Sequence, residues 1–297
     1  MITRKVMQMS NSSFIVTLPK DWADFNGLIK GDTIDFENSG NDLIIKSKKE
    51  KETEVKLDLT DMSYDLVWRH LVCAYRKGAN KVVVKYGSKD NLNYAMEFVR
   101  DLMGWAIVKK DKDKIIIKDL ISVEKTDFED AFKKVFLLVI NMSEDALEGF
   151  SKQDESILEN VPYSDYNINK FTNLCLRILN LRSDYTRNNS MYRIICTLEE
   201  IGDEYRKLAM FHKPGKLSDE LIEFFKRING LLKDYYEMFY NFNNGRLKKF
   251  YGDAETLFKD MKKYKKDSLT GIRTFTTLFT IFHMVKSLTE ESLVINI

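Results

Sequence analysis

The sequence predicts an α+β chain in three parts, and three observations predict it. Residues 1–50 alternate apolar and polar side chains around turn-forming residues; residues 56–122 switch between strand-like and helix-like stretches; residues 123–297 carry an almost unbroken apolar period of three to four. At 297 residues the chain is long enough for two or three domains with a sizeable core. Only three prolines and thirteen glycines, with 31% charged residues, point to a helix-rich soluble protein.

The opening segment is the most specific. Arg4-Lys5-Val6 is followed by Ser12–Leu18, a short strand ending at Pro19, with Phe14, Val16 and Leu18 on one side and Ile15 and Thr17 on the other. A brief helical turn containing Lys20 and Trp22 follows. A Gly31-Asp32 turn leads into Thr33–Phe36, and Ser39-Gly40-Asn41-Asp42 reads as a hairpin turn before Leu43-Ile44-Ile45. A unit of this size cannot bury enough apolar surface by itself, so it must pair with a copy of itself or with a neighbour. Lys46 to Lys56 is charge-dense and reads as a solvated linker or an edge strand.

The middle part reads as a small α+β module. Leu66, Val67, His70, Leu71 and Ala74 mark a helix stopped at Gly78, Lys81–Lys85 is a strand, and Ala95, Phe98, Val99 and Leu102 mark a second helix. Ala106–Val108 and Ile115–Ile117 form a hairpin around Lys110–Lys114. Six amphipathic helices follow, near 126–152, 164–183, 188–212, 217–243, 245–266 and 269–291. Their breaks are expected at Pro162, Asn188-Asn189, Pro214-Gly215, Asn243-Asn244-Gly245 and Gly271. Short breaks between helices of this length imply antiparallel neighbours, as two three-helix bundles in tandem.

Charge and motifs narrow the chemistry. A net charge of +2 excludes wholesale polyanion binding, so any nucleic-acid contact must be local. Arg4, Lys5 and Lys20 are the candidate phosphate contacts, with Ser10, Asn11, Ser12 and Ser13 adding hydrogen bonds from a loop. Acids balance bases over residues 1–60, so the field would have to be one-sided. Cys73, Cys175 and Cys196, odd in number and in apolar helical settings, read as reduced core residues of a cytoplasmic protein. The N-terminus lacks a signal-type apolar core, and no apolar run is long enough to insert in a membrane. His70, His212 and His283 lie in unrelated segments, and no phosphate-binding glycine loop or nucleophile elbow occurs, so an enzyme is not expected.

In the helical part, Leu198-Glu199-Glu200-Ile201-Gly202-Asp203 puts the carboxylates of Glu199 and Asp203 on one helical face, four residues apart. Two readings stand. One is a solvated acidic face; the other is a carboxylate pair around a bound hard metal, magnesium, calcium, manganese or iron rather than zinc, or around a basic partner. Gly202 inside the helix marks close approach of another element. Asp165, at the start of an earlier helix with Asn169 one turn on, offers a third carboxylate. The basic stretch Arg246, Lys248, Lys249, Lys259, Lys262, Lys263, Lys265 and Lys266 reads as an exposed lysine face over an aromatic stripe, or as a docking face for an acidic protein, phosphate or lipid headgroups.

The residues quoted carry two resemblances. Arg4-Lys5-Val6, Ile15–Lys20 with Trp22, and Gly31-Asp32 resemble a SpoVT/AbrB-type swapped-hairpin DNA-binding domain, here residues 1–50. Leu198–Asp203 and the six helices over 123–297 resemble the PhoU family of phosphate-uptake regulators, built from two three-helix repeats with metal-binding E-x-x-x-D carboxylates. Together, with the small α+β module at 56–122, they resemble archaeal PhoU-related regulators. The resemblance implies a cytoplasmic, dimeric, DNA-binding transcriptional regulator of phosphate uptake and phosphate homeostasis. Its partners would be DNA, a second copy, and phosphate transporter components or a signalling protein, with a divalent metal or iron at Glu199, Asp203 and Asp165. The alternative is a dimeric interaction scaffold that binds no DNA and modulates a transporter or signalling partner. There are departures. Glu200 stands where arginine is usual, two family acids are amides between Asp165 and Asn169, and Ser10-Asn11-Ser12 replaces common glycines. Val285 and Thr289 of the second repeat align with Glu199 and Asp203, which removes the second metal cluster and weakens the first.

Overall fold

The computed structural model describes residues 2–10, 13–47, 53–121, 127–181, 185–211, 217–265 and 268–297. It divides into two compact units, Met1–Thr53 and Glu54–Ile297. The predicted linker residues Lys48–Glu52, and His212, Pro214, Gly215 and Lys266, lie outside the described residues.

The first unit consists of two separate hairpins and a short helix. β1 (Met7–Ser10) pairs antiparallel with β2 (Ser13–Ile15), and β3 (Ile34–Ser39) with β4 (Asp42–Ser47). Between them α1 (Lys20–Phe25) starts after Pro19, whose fixed φ suits the helix entry. The sequence expectation of one strand through Leu18 is replaced by a shorter β2 with its own partner β1. The expected turns are present: Gly31 has φ +97°, and the Asp32 carboxylate accepts from the Ile29 N–H at 2.9 Å.

The second unit begins with a four-stranded sheet. β5 (Glu54–Asp58), β6 (Lys81–Lys85), β7 (Trp105–Lys110) and β8 (Lys114–Asp119) lie in the order β5-β6-β8-β7, with β5 and β6 parallel and the other pairs antiparallel. α2 (Tyr64–Arg76) and α3 (Lys89–Asp101) bury Val67, Leu71, Tyr75 and Phe98 with Val82, Val84, Ile115 and Ile117 of the sheet. The charge-dense β5 is the edge strand for a physical reason. Lys81 faces Lys118 and Lys85 faces Lys114 across β6 and β8, and like charges opposite each other destabilise a sheet. Glu54 and Asp58 of β5 answer them at 2.7 Å from Lys81 and 3.0 Å from Lys85.

Six helices complete the unit: α4 (Phe128–Lys152), α5 (Glu155–Leu181), α6 (Tyr185–Phe211), α7 (Asp219–Tyr240), α8 (Asn244–Met261) and α9 (Leu269–Asn296). None of the described helices is long and apolar enough to cross a membrane. α4, α5 and α6 pack on one another, α7 lies against α8 and α9, and the pairs α6–α9 and α4–α7 join the two triples through one continuous core. Two expected breaks are corrected. Pro162 lies inside α5, which starts earlier because the Asp154 carboxylate accepts from the N–H groups of Ser156 and Ile157, and burial of Leu158, Val161 and Ile168 outweighs the lost backbone bond. Asn188-Asn189 lies inside α6; the Asn188 amide instead donates to the Leu179 carbonyl in the last turn of α5. Side-chain caps are where turn chemistry places them, at Asp127, Ser218, Asn243 and Ser268.

The α+β part is fastened to α5 at the end of α2. Arg177, 1% exposed, donates to the carbonyls of Tyr75 (2.6 Å) and Ala79 (2.9 Å) and pairs with Asp119 at 2.7 Å. Its guanidinium also sits 4.8 Å from the centre of the Tyr75 ring. Asn180 donates to the Arg76 carbonyl at 2.7 Å. Gly78, at φ +89°, lets the chain turn directly over Leu181; a Cβ there would meet Leu181 Cδ2 at 2.6 Å. The unsatisfied carbonyl end of one helix is thus capped by donors from another.

Asp119→Ala is expected to destabilise the protein by about 3–5 kcal/mol, since it leaves a buried guanidinium unpaired. Arg177→Met is expected to cost at least as much, because it leaves the Asp119 carboxylate unpaired and takes the donor from the Ala79 carbonyl, while the Tyr75 carbonyl keeps the Gly78 N–H. Urea unfolding of both variants against the parent checks the order.

Candidate functional site

Arg4 and Lys5 are exposed and precede β1, Ser13 opens β2 opposite Ser10, and exposed Lys20 is the first residue of α1. Asn11 and Ser12 lie outside the described residues. The unit carrying them has no buried residue among those described. Phe14 is 71% exposed, Phe25 73% and Met9 76%. An apolar groove of about 610 Å³ opens between Leu18, Trp22, Phe25 and Ile45. Apolar exposure on this scale is large for so small a unit.

A second site forms within the larger unit, where α2 faces α5 and α6 across a cleft of about 850 Å³. Helical spacing sets its chemistry. Arg69, Cys73 and Arg76 share one face of α2; Asp165, Asn169 and Asn173 share one of α5; Glu199, Asp203 and Arg206 share one of α6. α6 approaches α5 closely at Gly202, where a Cβ would stand 3.2 Å from Ile168 Cδ1.

The cation expected beside the carboxylates is a residue of the same helix. Arg206 lies 3.2 Å from Asp165 and 2.9 Å from Asp203. Asn169 donates to the same oxygen of Asp165 at 3.0 Å, while Asp165 Oδ1 is buried without a hydrogen-bond partner. Arg76 is fixed by its Nε–H bond to Asn173 at 2.8 Å. Glu199 makes no hydrogen bond or ion pair with the described residues. Burial, then the charge of Asp203, pushes the Glu199 carboxyl up to about 7, with Arg76 opposing. The same two causes push Asp165 up to about 6.

This arrangement does not fit a bound metal. Among the described residues no group of three or more histidine, cysteine or acidic side chains converges on one point, and Arg206 holds two of the three proposed carboxylates. Asp165 lies well inside α5 rather than at its start. Glu199, Asp203 and Asp165 line one cleft, together with Arg206, Arg69 and Arg76, which sequence reasoning did not single out. Arg206 was legible, three residues beyond Asp203 on the same helix; the arginines of α2 carry no sequence signal linking them to α6. In the second triple, Val285 and Thr289 are fully buried, and the Thr289 hydroxyl is bonded to the Lys286 carbonyl, so these two positions face no cleft of this kind.

The remaining expectations resolve simply. Cys175 is buried and Cys196 partly so, but Cys73 is exposed on the cleft rather than in the core. Along α8, Lys249 lies near Asp234 and Asp253, Lys259 near Glu255 and Lys263 near Asp260, and Phe258 stacks on Phe282. With Arg246 near Glu237, four of the eight basic residues thus lie within 4.0 Å of a carboxylate.

Comparison with known proteins finds one family. The model for the family described as "Antidote-toxin recognition MazE, bacterial antitoxin" matches residues 7–53, ending where the first compact unit ends. No curated protein and no solved structure matches the chain.

The cleft makes stability depend on pH. The Glu199 carboxyl holds its proton more tightly folded than unfolded, so its contribution is complete at low pH and is lost as pH rises from about 4.5 through about 7. Glu199→Gln is expected to stabilise the protein at pH 8 by about 1–2 kcal/mol and to flatten stability between pH 5 and 8. Denaturant unfolding at those two pH values checks it.

Proposed function

We propose that the chain is a dimeric, DNA-binding regulator whose N-terminal unit is completed by its twin. The observation that carries this is the first unit itself: a segment similar to an antitoxin family, with two hairpins, no described buried residue and large exposed apolar side chains. Pairing two such units would bury Phe14, Phe25 and the groove beside Trp22, and would double the basic residues Arg4, Lys5 and Lys20 on one assembly. Neutralising phosphates with these side chains would position DNA, with Ser10 to Ser13 supplying polar contacts. The larger unit is read as the sensing or docking half. Its assignment to phosphate uptake and homeostasis, with a transporter or signalling protein as partner, rests on the resemblance of Leu198–Asp203 and the two helical triples to the PhoU family.

A second reading has its own support. Acids balance bases over residues 1–60, which favours a dimeric scaffold that binds protein rather than DNA. Mobility shift with genomic DNA fragments separates the two. An Arg4→Ala/Lys5→Ala variant is expected to bind more weakly and to reduce the slope of log affinity against log salt by about 2, as for two lost phosphate contacts. Unchanged, salt-insensitive binding removes these residues from the interface. Sedimentation equilibrium at micromolar concentration is expected to show a dimer; a strict monomer defeats the reading.

A further inference from the structure

The cleft between α2 and the α5–α6 pair holds opposite charges that face the same space without meeting. Arg76 on α2 and Glu199 on α6 line the same cleft, yet no ion pair or hydrogen bond among the described residues joins them. Most other charged groups of the cleft are already engaged: Arg206 with Asp165 and Asp203, Asp101 with the Tyr166 hydroxyl, and Lys170 over the Tyr166 ring at 4.3 Å. Arg69, one face with Arg76, has no partner among the described residues. On the carboxylate side the group left over is Glu199, which makes no hydrogen bond or ion pair with the described residues, whereas Asp165 takes Arg206 and Asn169 on one oxygen and turns the other towards Gly202.

Beside these groups stands an apolar wall. Trp68 of α2 packs on Phe98 of α3 with ring centres 5.0 Å apart, Tyr64 packs on Phe98 at 4.6 Å, and Val72 continues the surface. The cleft therefore offers a cationic corner, a carboxylate corner across from it, and an aromatic side. Few small molecules carry matching features in that arrangement. A free phosphate would satisfy the arginines and repel Glu199; an amine alone would satisfy the carboxylates and leave Arg76 unpaired.

We propose that this cleft binds a free α-amino acid with an apolar or aromatic side chain, its carboxylate on Arg76 and Arg69, its ammonium on Glu199, and its side chain against Trp68 and Phe98. The head group bridges Arg76 and Glu199 because it presents both charges from one carbon. Each partner is then hydrogen-bonded in a site partly shielded from water, where such bonds are strongest.

The test uses the full chain without DNA, so its result stands apart from the DNA reading. L-leucine, L-isoleucine, L-methionine, L-phenylalanine, L-tyrosine and L-tryptophan are each titrated by calorimetry and by thermal shift. At least one is expected to raise Tm by about 2 °C or more at millimolar concentration. Glu199→Gln and Arg76→Met are each expected to weaken that binding by about tenfold or more. Removing one charge of the ligand, as in 3-phenylpropionate or 2-phenylethylamine for phenylalanine, is expected to cost as much. Glu199→Gln keeps the shape of the site, and its own unfolding curve shows that it folds. The proposal is overturned if none of the six amino acids binds, if the single-charge analogues bind equally well, or if Glu199→Gln leaves affinity unchanged. It is likewise overturned if inorganic phosphate or manganese binds there and the amino acids do not.

Discussion

The arrangement of the larger unit depends on one buried guanidinium. Arg177 reaches from the helical core into the turn after α2, takes two backbone carbonyls and closes on Asp119 at the end of β8. An arginine suits this task because its planar fork presents several donors in fixed directions and keeps its charge when desolvated. Without it, the turn after α2 would lose the donor to the Ala79 carbonyl and the sheet would carry a buried, unpaired carboxylate. With it, α2 is held in place, and Arg69, Cys73 and Arg76 line the side of a cleft whose opposite side belongs to helices far along the chain. The geometry of the cleft therefore follows from a structural contact several side chains away.

The two units solve the problem of burial in opposite ways. The larger one spends its aromatic residues internally: Phe132, Phe136, Tyr235 and Phe239 pack together, Tyr205 stacks on Phe225, and the Tyr205 hydroxyl reaches Asn229, whose amide closes on the Ser143 carbonyl. Polar groups carried into this core are thereby satisfied, which specifies how α4, α6 and α7 meet. The smaller unit leaves Phe14, Phe25, Phe36 and Met9 outside, and its two hairpins share no backbone ladder. Such a unit is organised by turn geometry rather than by a core of its own.

Much of this was legible in the sequence because periodicity and caps are local. The strand Lys81–Lys85, the hairpin around Lys110–Lys114 and the helices with polar caps at Asp127, Ser218, Asn243 and Ser268 follow from patterns within a few residues. Pro162 misled because its local cost is outweighed by burial along the rest of α5, and β1 was missed because Met7–Ser10 shows no clear alternation without its partner β2. At the cleft, the carboxylate face of α6 could be read from spacing alone. What answers it could not: Arg76 is separated from Glu199 by most of the α+β part and two helices, and only tertiary contacts such as those of Arg177 and Asn180 bring them to one place.

The buried Val285 and Thr289 have a further consequence. The two helical triples share a core, but the α6 positions Glu199 and Asp203 line a cleft while Val285 and Thr289 of α9 are buried. The larger unit consequently has a front, where polar side chains are constrained by one another, and a back at these α9 positions, constrained only to remain well packed. Related chains should therefore diverge lopsidedly: the back drifting freely among residues of similar volume, the front changing rarely and in concert.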